Sequence, residues 1–389
     1  MKNKIINIAK PLFDKKESNL IREVLKSGWI TSGKITIKLE KLISRTFKAK
    51  YVLAINSCTS GILASLVALK AKKNDEVITP AFTYVSTIQT IINLGLKIKF
   101  CDIDPLTLNI DCKKLKKLIS KKTKFIIPVN NNGIPCDIEN ILKFTKKKKI
   151  KIILDAATSI GSKINKQYIF NNKNLITVFS LHGNKIIASG EGGIVCLNNK
   201  KIYNKLRLII NSGIEKSSWE RNIKSKYNYL DSKILGYKLN FNDIHAAIAL
   251  VQFKKLKKLL NKRKKLYNYY LKLLKKLLNN NILRTPKINS KYSISYYNFP
   301  IILINNNKRL RNKLSKFLKK NNIQSTIHYT PAHKHTFYKN SQFRIPKLIN
   351  TDYIFDRIIS LPMHNHLLKK DIKRICKIIY KFFGYNDNI

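Results

Sequence analysis

Short apolar runs alternate with helical stretches through the first half of the chain. Five of these runs have the length of a strand and few polar positions, at 51–55, 76–79, 96–100, 124–129 and 150–154. A strand that is covered by helices on both faces is a short, nearly continuous apolar run, whereas a half-exposed strand alternates apolar and polar residues. The pattern therefore predicts an α/β fold.

Turn-forming residues stand where these predicted strands end. Asn56 and Ser57 precede an apolar helix at 59–70, Thr79 and Pro80 end the second strand, and residues 102–105 follow the third. Open α/β sheets bind ligands outside the carboxyl ends of their strands. We therefore expect the functional site at this edge of the sheet.

The second half of the chain has a different pattern. A long helical stretch covers about 241–277, with an apolar face in HAAIALVQF and a solvated, lysine-rich face in KKLKKLLNKRKK. Beyond it the pattern predicts strands and helices in alternation, at 293–304, 307–320, 323–328 and 368–382. We interpret residues 1–250 as a large α/β domain and residues 251–389 as a smaller α+β domain.

The net charge is extreme, because 77 basic side chains stand against 21 acidic ones and leave a formal charge of +56. Such a charge is typical of proteins that bind nucleic acid or anionic membranes. Here the lysines are spread over the whole chain, together with abundant Asn, Ile, Tyr and Phe, and no aromatic-interleaved binding motif accompanies them. We favour a biased composition that is solvated at the surface, and we predict no specific nucleic-acid partner.

The six cysteines form no CxxC pair and no zinc-like cluster, so we predict reduced thiols and no metal site. The basic N-terminus lacks the apolar stretch of a signal peptide. No apolar run approaches the roughly 20 residues of a membrane span. These features predict a cytoplasmic protein that does not insert into a membrane.

One lysine stands out among the many. Lys185 lies in FSLHGNKIIASGEGG, between the end of a predicted strand and a glycine-rich turn. Its neighbours are small or apolar, and Gly190, Gly192 and Gly193 allow close backbone approach. A lysine is by default a surface residue, but a desolvated lysine amine becomes a nucleophile.

Two further positions fit a site at the sheet edge. Asp155 ends the strand at 150–154 and precedes Ala156 and Ala157, although an aspartate there is also an ordinary turn former. The segment SCTSG at 57–61 opens a helix, whose free N–H groups and dipole attract a phosphate. Taken alone, the same segment is more simply a helix N-cap.

These segments belong to a longer series. GWITSG (28–33), NSCTSG (56–61), DEVITPAFTYVST (75–87), LDAATSIG (154–161), FSLHGNK (179–185), SGEGG (189–193) and GYKLNFNDIHAAIALVQ (236–252) follow in order. Together the chain resembles the DegT/DnrJ/EryC1/StrS family of sugar aminotransferases. The resemblance implies pyridoxal phosphate (PLP) as cofactor and a fold-type I α/β enzyme. Such an enzyme has a mixed, mostly parallel sheet and a smaller C-terminal α+β domain, and it acts as a homodimer.

The resemblance also assigns roles to matched positions. Lys185 corresponds to the lysine that holds the cofactor covalently, and Asp155 to the partner of the pyridinium nitrogen. The remaining cofactor-binding positions are Thr59, Ser60 and Ser180 at the phosphate, Tyr84 stacked on the ring, and Lys238 and Asn240 reaching the phosphate from the neighbouring subunit. Substrate-binding positions are Thr31, His328 and His333, although a lone histidine is as often structural.

Within the family, the branch that aminates UDP-4-keto-L-arabinose for lipid A modification is the most similar. The resemblance rests on SGWITSG, on the Lys-x-Asn form of 236-GYKLNFND and on 328-HYTPAHKHTFY. It implies that L-glutamate donates the amino group and that a nucleotide-linked 4-keto sugar accepts it. Another keto sugar of the same reaction class is the alternative.

Three sites depart from the family pattern. Thr158 stands where relatives have His or Gln, Leu154 where they have Glu, and 130-NNNG replaces a histidine-containing turn. The change at Thr158 removes one expected ring contact, which puts efficiency rather than cofactor binding in doubt.

Two other functions remain open at this point. A sugar dehydratase of the same fold carries histidine in place of the covalent lysine, and Lys185 argues against it. A non-catalytic basic binding or regulatory protein would have lost the cofactor-binding set, whereas Lys185, Asp155, Thr59 and Ser180 are all present.

Overall fold

The three-dimensional description rests on a computed structural model, which describes residues 4–168, 174–223, 230–304, 308–339 and 346–385. Thirteen strands form three sheets in these ranges. They are β1 (Tyr51–Ile55), β2 (Glu76–Pro80), β3 (Lys97–Cys101), β4 (Thr123–Ile126), β5 (Lys151–Asp155), β6 (Lys163–Ile164), β7 (Gln167–Tyr168), β8 (Leu175–Ser180), β9 (Gly193–Leu197), β10 (Leu283–Arg284), β11 (Tyr292–Ser293), β12 (Phe299–Leu303) and β13 (Ile358–Leu361).

Fifteen α-helices accompany the strands in the described residues. They are α1 (Lys15–Lys26), α2 (Lys34–Phe47), α3 (Cys58–Ala68), α4 (Val85–Asn93), α5 (Cys112–Leu118), α6 (Ile138–Thr145), α7 (Lys200–Ile210), α8 (Ser218–Ile223), α9 (Asp243–Lys254), α10 (Leu256–Leu273), α11 (Lys275–Asn279), α12 (Lys308–Lys320), α13 (Thr336–Lys339), α14 (Ile349–Phe355) and α15 (Lys369–Phe382).

The large sheet has the strand order β1-β9-β8-β5-β4-β2-β3. All five predicted apolar runs are strands of this sheet. Strands β3, β2, β4, β5 and β8 pair in parallel, and β9 is antiparallel to both of its neighbours. The sheet is therefore mixed and mostly parallel, which confirms the predicted fold class.

Helices cover both faces of this sheet, as the apolar runs predicted. Side chains from α3, α4 and α7 form the core on one face, and side chains from α2, α6 and α9 form it on the other. Helix α3 lies close to the strands because Gly61 has no side chain. A Cβ at this position would lie 2.5 Å from the Cγ1 of Val178.

A second, smaller sheet has the order β10-β12-β13 and packs its apolar side chains against α10, α12 and α15. The predicted helices at 307–320 and 368–382 correspond to α12 and α15. The predicted division after residue 250 lies inside α9, and β11 pairs with β6 of the first half. The two-domain division stays a prediction.

Three predicted elements differ from the structure. The helix at 241–277 is interrupted at Lys255 and Leu274, where the backbone N–H also bonds to a nearer carbonyl. The strand at 293–304 is two separate strands, β11 and β12. The strand at 323–328 is wrong. The backbone of this segment forms hydrogen bonds with Ile6 at one end and with Ser360 at the other, so only isolated bridges form.

Candidate active site

A cavity of about 550 Å³ opens at the carboxyl edge of the large sheet. This volume lies within the range of roughly 300–1,000 Å³ that small-molecule sites occupy. The cavity is lined by residues that follow β1, β2, β4, β5 and β8, and by a segment from the second half of the chain. Of the predicted site residues, Thr59, Tyr84, Asp155, Ser180, Lys185 and His328 line this cavity, and Thr158 lines it as well.

Lys185 lies in the loop between β8 and β9 and is half-buried. Its Nζ donates a hydrogen bond of 3.3 Å to the hydroxyl of Tyr297 and lies 4.7 Å from the centre of that ring. The glycine-rich turn behind it packs as predicted. A Cβ on Gly193 would lie 2.6 Å from the backbone of Ser57. The turn thus brings Lys185 to the start of α3.

Asp155 ends β5 and is only 4% exposed. One carboxylate oxygen accepts a hydrogen bond of 2.7 Å from the Thr87 hydroxyl, and the other accepts one of 3.0 Å from the Ala157 N–H. Burial raises the pKa of Asp155, while these hydrogen bonds and the charge of Lys185 lower it. A cation held against this carboxylate would favour its charged form.

The start of α3 is arranged to hold an anion. Ser57 caps the helix by accepting a hydrogen bond of 3.0 Å from the Ser60 N–H, so the capping interpretation is confirmed. Thr59 lines the cavity beside Ser180, whose hydroxyl accepts a bond of 3.2 Å from the His182 N–H. Ser60 is different. Its hydroxyl is 2.8 Å from that of Ser57, and it is not part of the cavity wall.

The predicted aromatic position also lines the cavity. Tyr84 is 60% exposed and lies edge-on to Tyr329, with ring centres 6.0 Å apart. Tyr329 is half-buried, and desolvation of its hydroxyl raises the pKa of that group well above its ordinary value. The two rings form one wall of the cavity.

The three predicted substrate-binding residues lie in different surroundings in the structure. His328 lines the cavity, and burial together with the charge of Lys185 lowers its pKa to about 4, so its ring is neutral near pH 7. His333 pairs instead with Asp352 at 2.7 Å and does not line the cavity. Thr31 is exposed, outside the wall of its own chain's cavity.

Lys238 and Asn240 do not line this cavity either. Lys238 is exposed, and Asn240 donates a hydrogen bond of 3.3 Å to Asn211 beside a separate cavity of about 340 Å³. The Oδ1 atom of Asn240 is buried without a partner among the described residues. Neither residue contributes to the cofactor site of its own subunit, and their predicted role toward a neighbouring subunit stays a prediction.

The departures from the family pattern have structural explanations. The Thr158 hydroxyl donates to the Asn130 carbonyl at 2.6 Å and accepts from the Gly133 N–H at 3.0 Å, so it stabilises the turn after β4. Asn131 donates to the carbonyls of Phe82 and Leu108 in the same region. Leu154 is buried in the core beneath the sheet. The residues at these departing positions therefore stabilise the turn after β4 and the core of the sheet next to it.

Two contacts at the centre of the site were not predicted. Thr87, which binds Asp155, closes the segment DEVITPAFTYVST, but nothing in its spacing relates it to a residue 68 positions away. Tyr297, which binds Lys185, lies 112 positions from it in a segment without turn or motif signals. Only long-range contacts in the fold identify these two residues.

The site fits pyridoxal phosphate. Asp155 would offer a buried carboxylate to the ring nitrogen, Lys185 an amine for a covalent linkage, and the start of α3 with Thr59 a cradle for the phosphate. No group of three His, Cys, Asp or Glu side chains that could hold a metal ion occurs in the described ranges. Every helix in the same ranges is too short or too polar to cross a lipid bilayer.

Comparison with known proteins identifies the family. The model of the DegT/DnrJ/EryC1/StrS aminotransferase family matches residues 11–380. An uncharacterised protein of Methanocaldococcus jannaschii is 32% identical over 97% of both chains. PseC of Helicobacter pylori, an aminotransferase involved in the biosynthesis of pseudoaminic acid, has a similar structure. The identity is 26%, the TM-score is 0.89, and the match covers 98% of this chain and 100% of PseC.

A third comparison concerns the cofactor. Spr1654 of Streptococcus pneumoniae, in its PLP form, is 26% identical with a TM-score of 0.89, over 98% of this chain and 99% of Spr1654. Its pyridoxamine-phosphate form is equally similar, with a TM-score of 0.90. The protein is accordingly an aminotransferase of fold type I that uses pyridoxal phosphate, which sets aside the non-catalytic alternative. The chain belongs to the DegT/DnrJ/EryC1/StrS aminotransferase family.

Proposed function

We propose that the enzyme transfers the amino group of L-glutamate to a nucleotide-linked 4-keto sugar. The observation that carries the proposal is the meeting of Lys185 and Asp155 in one cavity with the start of α3. The bound cofactor supplies an electron sink for the reaction. Lys185 would hold it covalently and then carry the proton, while Asp155 would keep the ring nitrogen protonated.

UDP-4-keto-L-arabinose is our first candidate for the acceptor, with lipid A or lipopolysaccharide modification as the purpose. The support comes from SGWITSG, from the Lys-x-Asn form of 236-GYKLNFND and from 328-HYTPAHKHTFY. Of these segments, His328 lines the cavity and is neutral near pH 7, so it can donate to or accept from a sugar hydroxyl. A different keto sugar remains the alternative, since PseC acts in the biosynthesis of pseudoaminic acid.

A labelling experiment tests this function. We expect that enzyme, cofactor and glutamate labelled with heavy nitrogen convert UDP-4-keto-L-arabinose to an amino sugar that carries the label, seen by mass spectrometry. A panel of UDP-, dTDP- and GDP-linked keto sugars serves as comparison, and Lys185→Ala as the inactive control. Preferential labelling of another sugar would replace the acceptor, and labelling of none would contradict the proposed function.

We further propose that two copies of the chain share each active site. Lys238 and Asn240 lie outside the wall of the cavity of their own chain, and Lys238 is exposed. Beside them the large apolar side chains of Ile234, Leu235 and Tyr237 are exposed, with Leu235 at 90%. A second subunit would cover these side chains and receive the lysine and the amide at its cofactor phosphate.

Subunit complementation tests the shared site. Lys185→Ala and the double variant Lys238→Ala/Asn240→Ala should each have low activity alone. After subunit exchange, each mixed dimer should contain one intact site, so that part of the activity returns. Mixed dimers confirmed by native mass spectrometry that stay as inactive as their parents would show that Lys238 and Asn240 serve their own chain.

A further inference from the structure

The amine of Lys185 has an unusual neighbour. Its Nζ donates to the hydroxyl of Tyr297 at 3.3 Å and lies 4.7 Å from the centre of the same ring. The hydroxyl of this side chain therefore contacts the amine directly, and its ring lies close by. No carboxylate in the described part of the chain lies within 4.0 Å of it. Tyr297 is thus the direct contact that orients the amine.

Tyr297 is itself held in place. Its side chain is buried, with 6% exposure, and its ring lies edge-on to His328 with centres 5.9 Å apart. The Nη1 of Arg263 donates to the Tyr297 carbonyl at 2.9 Å. These contacts on three sides restrict both the backbone and the ring of Tyr297.

Arg263 is a buried cation, and its hydrogen bonds within the described part of the chain go to neutral acceptors. Besides Tyr297, it donates to the carbonyls of Tyr296 and Met363 and to the side-chain oxygen of Asn365. Burial lowers its pKa to about 10, so the guanidinium remains charged near pH 7. Burying a charge without a carboxylate is costly unless every donor is bonded. This arrangement therefore anchors the segment that carries Tyr297.

We propose that Tyr297 is a positioning residue, whose hydroxyl holds the amine of Lys185 in one orientation within the cavity. This role rests on the function proposed for the site. Because the hydroxyl oxygen accepts a hydrogen bond from an N–H of the amine, the nitrogen lone pair stays directed away from Tyr297. Fixing the direction of a nucleophile raises its rate without changing its chemistry. The contact links Lys185 to the Arg263 anchor in the second half of the chain.

Labelling of the cofactor-free protein tests the proposal without a measurement of turnover. In Tyr297→Phe we expect pyridoxal phosphate to attach to Lys185 about 10-fold more slowly, which corresponds to about 1.4 kcal/mol and to the loss of one hydrogen bond. The rate is followed by absorbance, and the site by borohydride trapping and peptide mass spectrometry. Tyr296→Phe is the matched control, since its half-buried ring packs on Tyr267 instead.

A pH profile distinguishes positioning from a merely structural role. The attachment rate in Tyr297→Phe should stay below that of the wild type across the whole profile, including the high-pH plateau where the amine is deprotonated in both proteins, since the lost acceptor no longer fixes its direction. The other titratable groups that interact with the Lys185 charge are Asp155, Cys58 and His328. The substitution leaves all three unchanged.

The outcomes are distinct. Slow attachment at every pH in Tyr297→Phe, with Tyr296→Phe like the wild type, would support the proposal even if no keto sugar were accepted. Wild-type attachment across the profile in Tyr297→Phe would overturn it. Should Tyr297→Phe lose its native circular dichroism, 3-fluorotyrosine at position 297 keeps the shape of the ring and weakens the hydroxyl as an acceptor. An unchanged profile in that protein would equally overturn the proposal.

Discussion

Lys185→Ala should abolish the covalent linkage to pyridoxal phosphate and lower turnover by about 10²- to 10⁴-fold, the usual contribution of a positioned acid–base group. The lysine is the one predicted nucleophile that lines the cavity, and alanine removes both the linkage and the proton carrier. The cofactor should still bind, because Asp155, Thr59 and the start of α3 are unchanged. Dialysis followed by absorbance spectroscopy should show cofactor that is bound but easily removed.

The control for this prediction is another lysine on the same sheet. Lys151 is exposed at the opposite end of the strand that carries Asp155, so Lys151→Ala should keep both linkage and turnover. Borohydride trapping followed by peptide mass spectrometry identifies the linked residue. Cofactor trapped on a lysine other than 185 in the wild-type enzyme would contradict the assignment.

Local patterns predicted much of the fold. The apolar runs of β1, β2, β4 and β5 could be predicted because these strands are buried on both faces, so their composition reflects their surroundings, whereas β3 at the edge of the sheet is only partly buried. The position of the site followed from the same reading, since turn residues after these strands all meet at one edge of the sheet. Lys185 and Asp155 lie in the same cavity for this reason.

Contacts between distant segments could not be predicted from such local patterns. His328 and His333 are five positions apart in one segment, yet the first lines the cavity and the second binds Asp352. The choice depends on how this segment packs on Asn298 and Ser360, which the sequence around the histidines does not encode. The failed strand at 323–328 has a related cause, because a strand needs continuous partners and this segment has only isolated ones.

The departures at Thr158 and at 130-NNNG show the limit of reasoning from a family pattern. The sequence suggested the loss of a contact to the cofactor ring. In the structure the hydroxyl of Thr158 joins the backbone of Asn130 to that of Gly133 instead. A short side chain serves this turn, and its replacement by a longer one would have to reach into the cavity. Thr158 and the segment 130-NNNG therefore form one hydrogen-bonded turn.

Asp155→Asn should lower turnover by about 10²- to 10³-fold, or roughly 3 to 4 kcal/mol, which is the cost of removing one preorganised electrostatic partner. Asparagine keeps the shape of the side chain: its oxygen can accept from the Ala157 N–H, and its NH2 group can donate to the Thr87 hydroxyl, which then acts as acceptor. It carries no charge, so it cannot keep the ring nitrogen of the cofactor protonated. Turnover is measured at saturating cofactor, so that a weaker affinity does not imitate a lower rate.

The thermal stability of the cofactor-free protein tests the environment of the Asp155 carboxylate independently. Burial raises the pKa of Asp155, so the cofactor-free folded protein holds the proton that the unfolded chain releases. Its contribution to the free energy of unfolding is present below the ordinary pKa of a carboxyl and is lost as the pH rises through the raised one. The cofactor-free Asp155→Asn protein should therefore unfold at a temperature equal to or above that of the wild type at pH 7, yet gain less from added cofactor.

Asp102→Asn is the matched control for both measurements of Asp155. Asp102 is also buried, after β3, but its carboxylate binds Thr351 and Lys114 outside the cavity. Because it stabilises the fold and not the cofactor, Asp102→Asn should unfold at a lower temperature while each folded molecule keeps its turnover. Near-normal turnover in Asp155→Asn, or an equal loss in both variants, would reject a specific electrostatic role for Asp155. If stability is lost only in Asp102→Asn and turnover only in Asp155→Asn, then Asp155 serves the chemistry and Asp102 serves the fold.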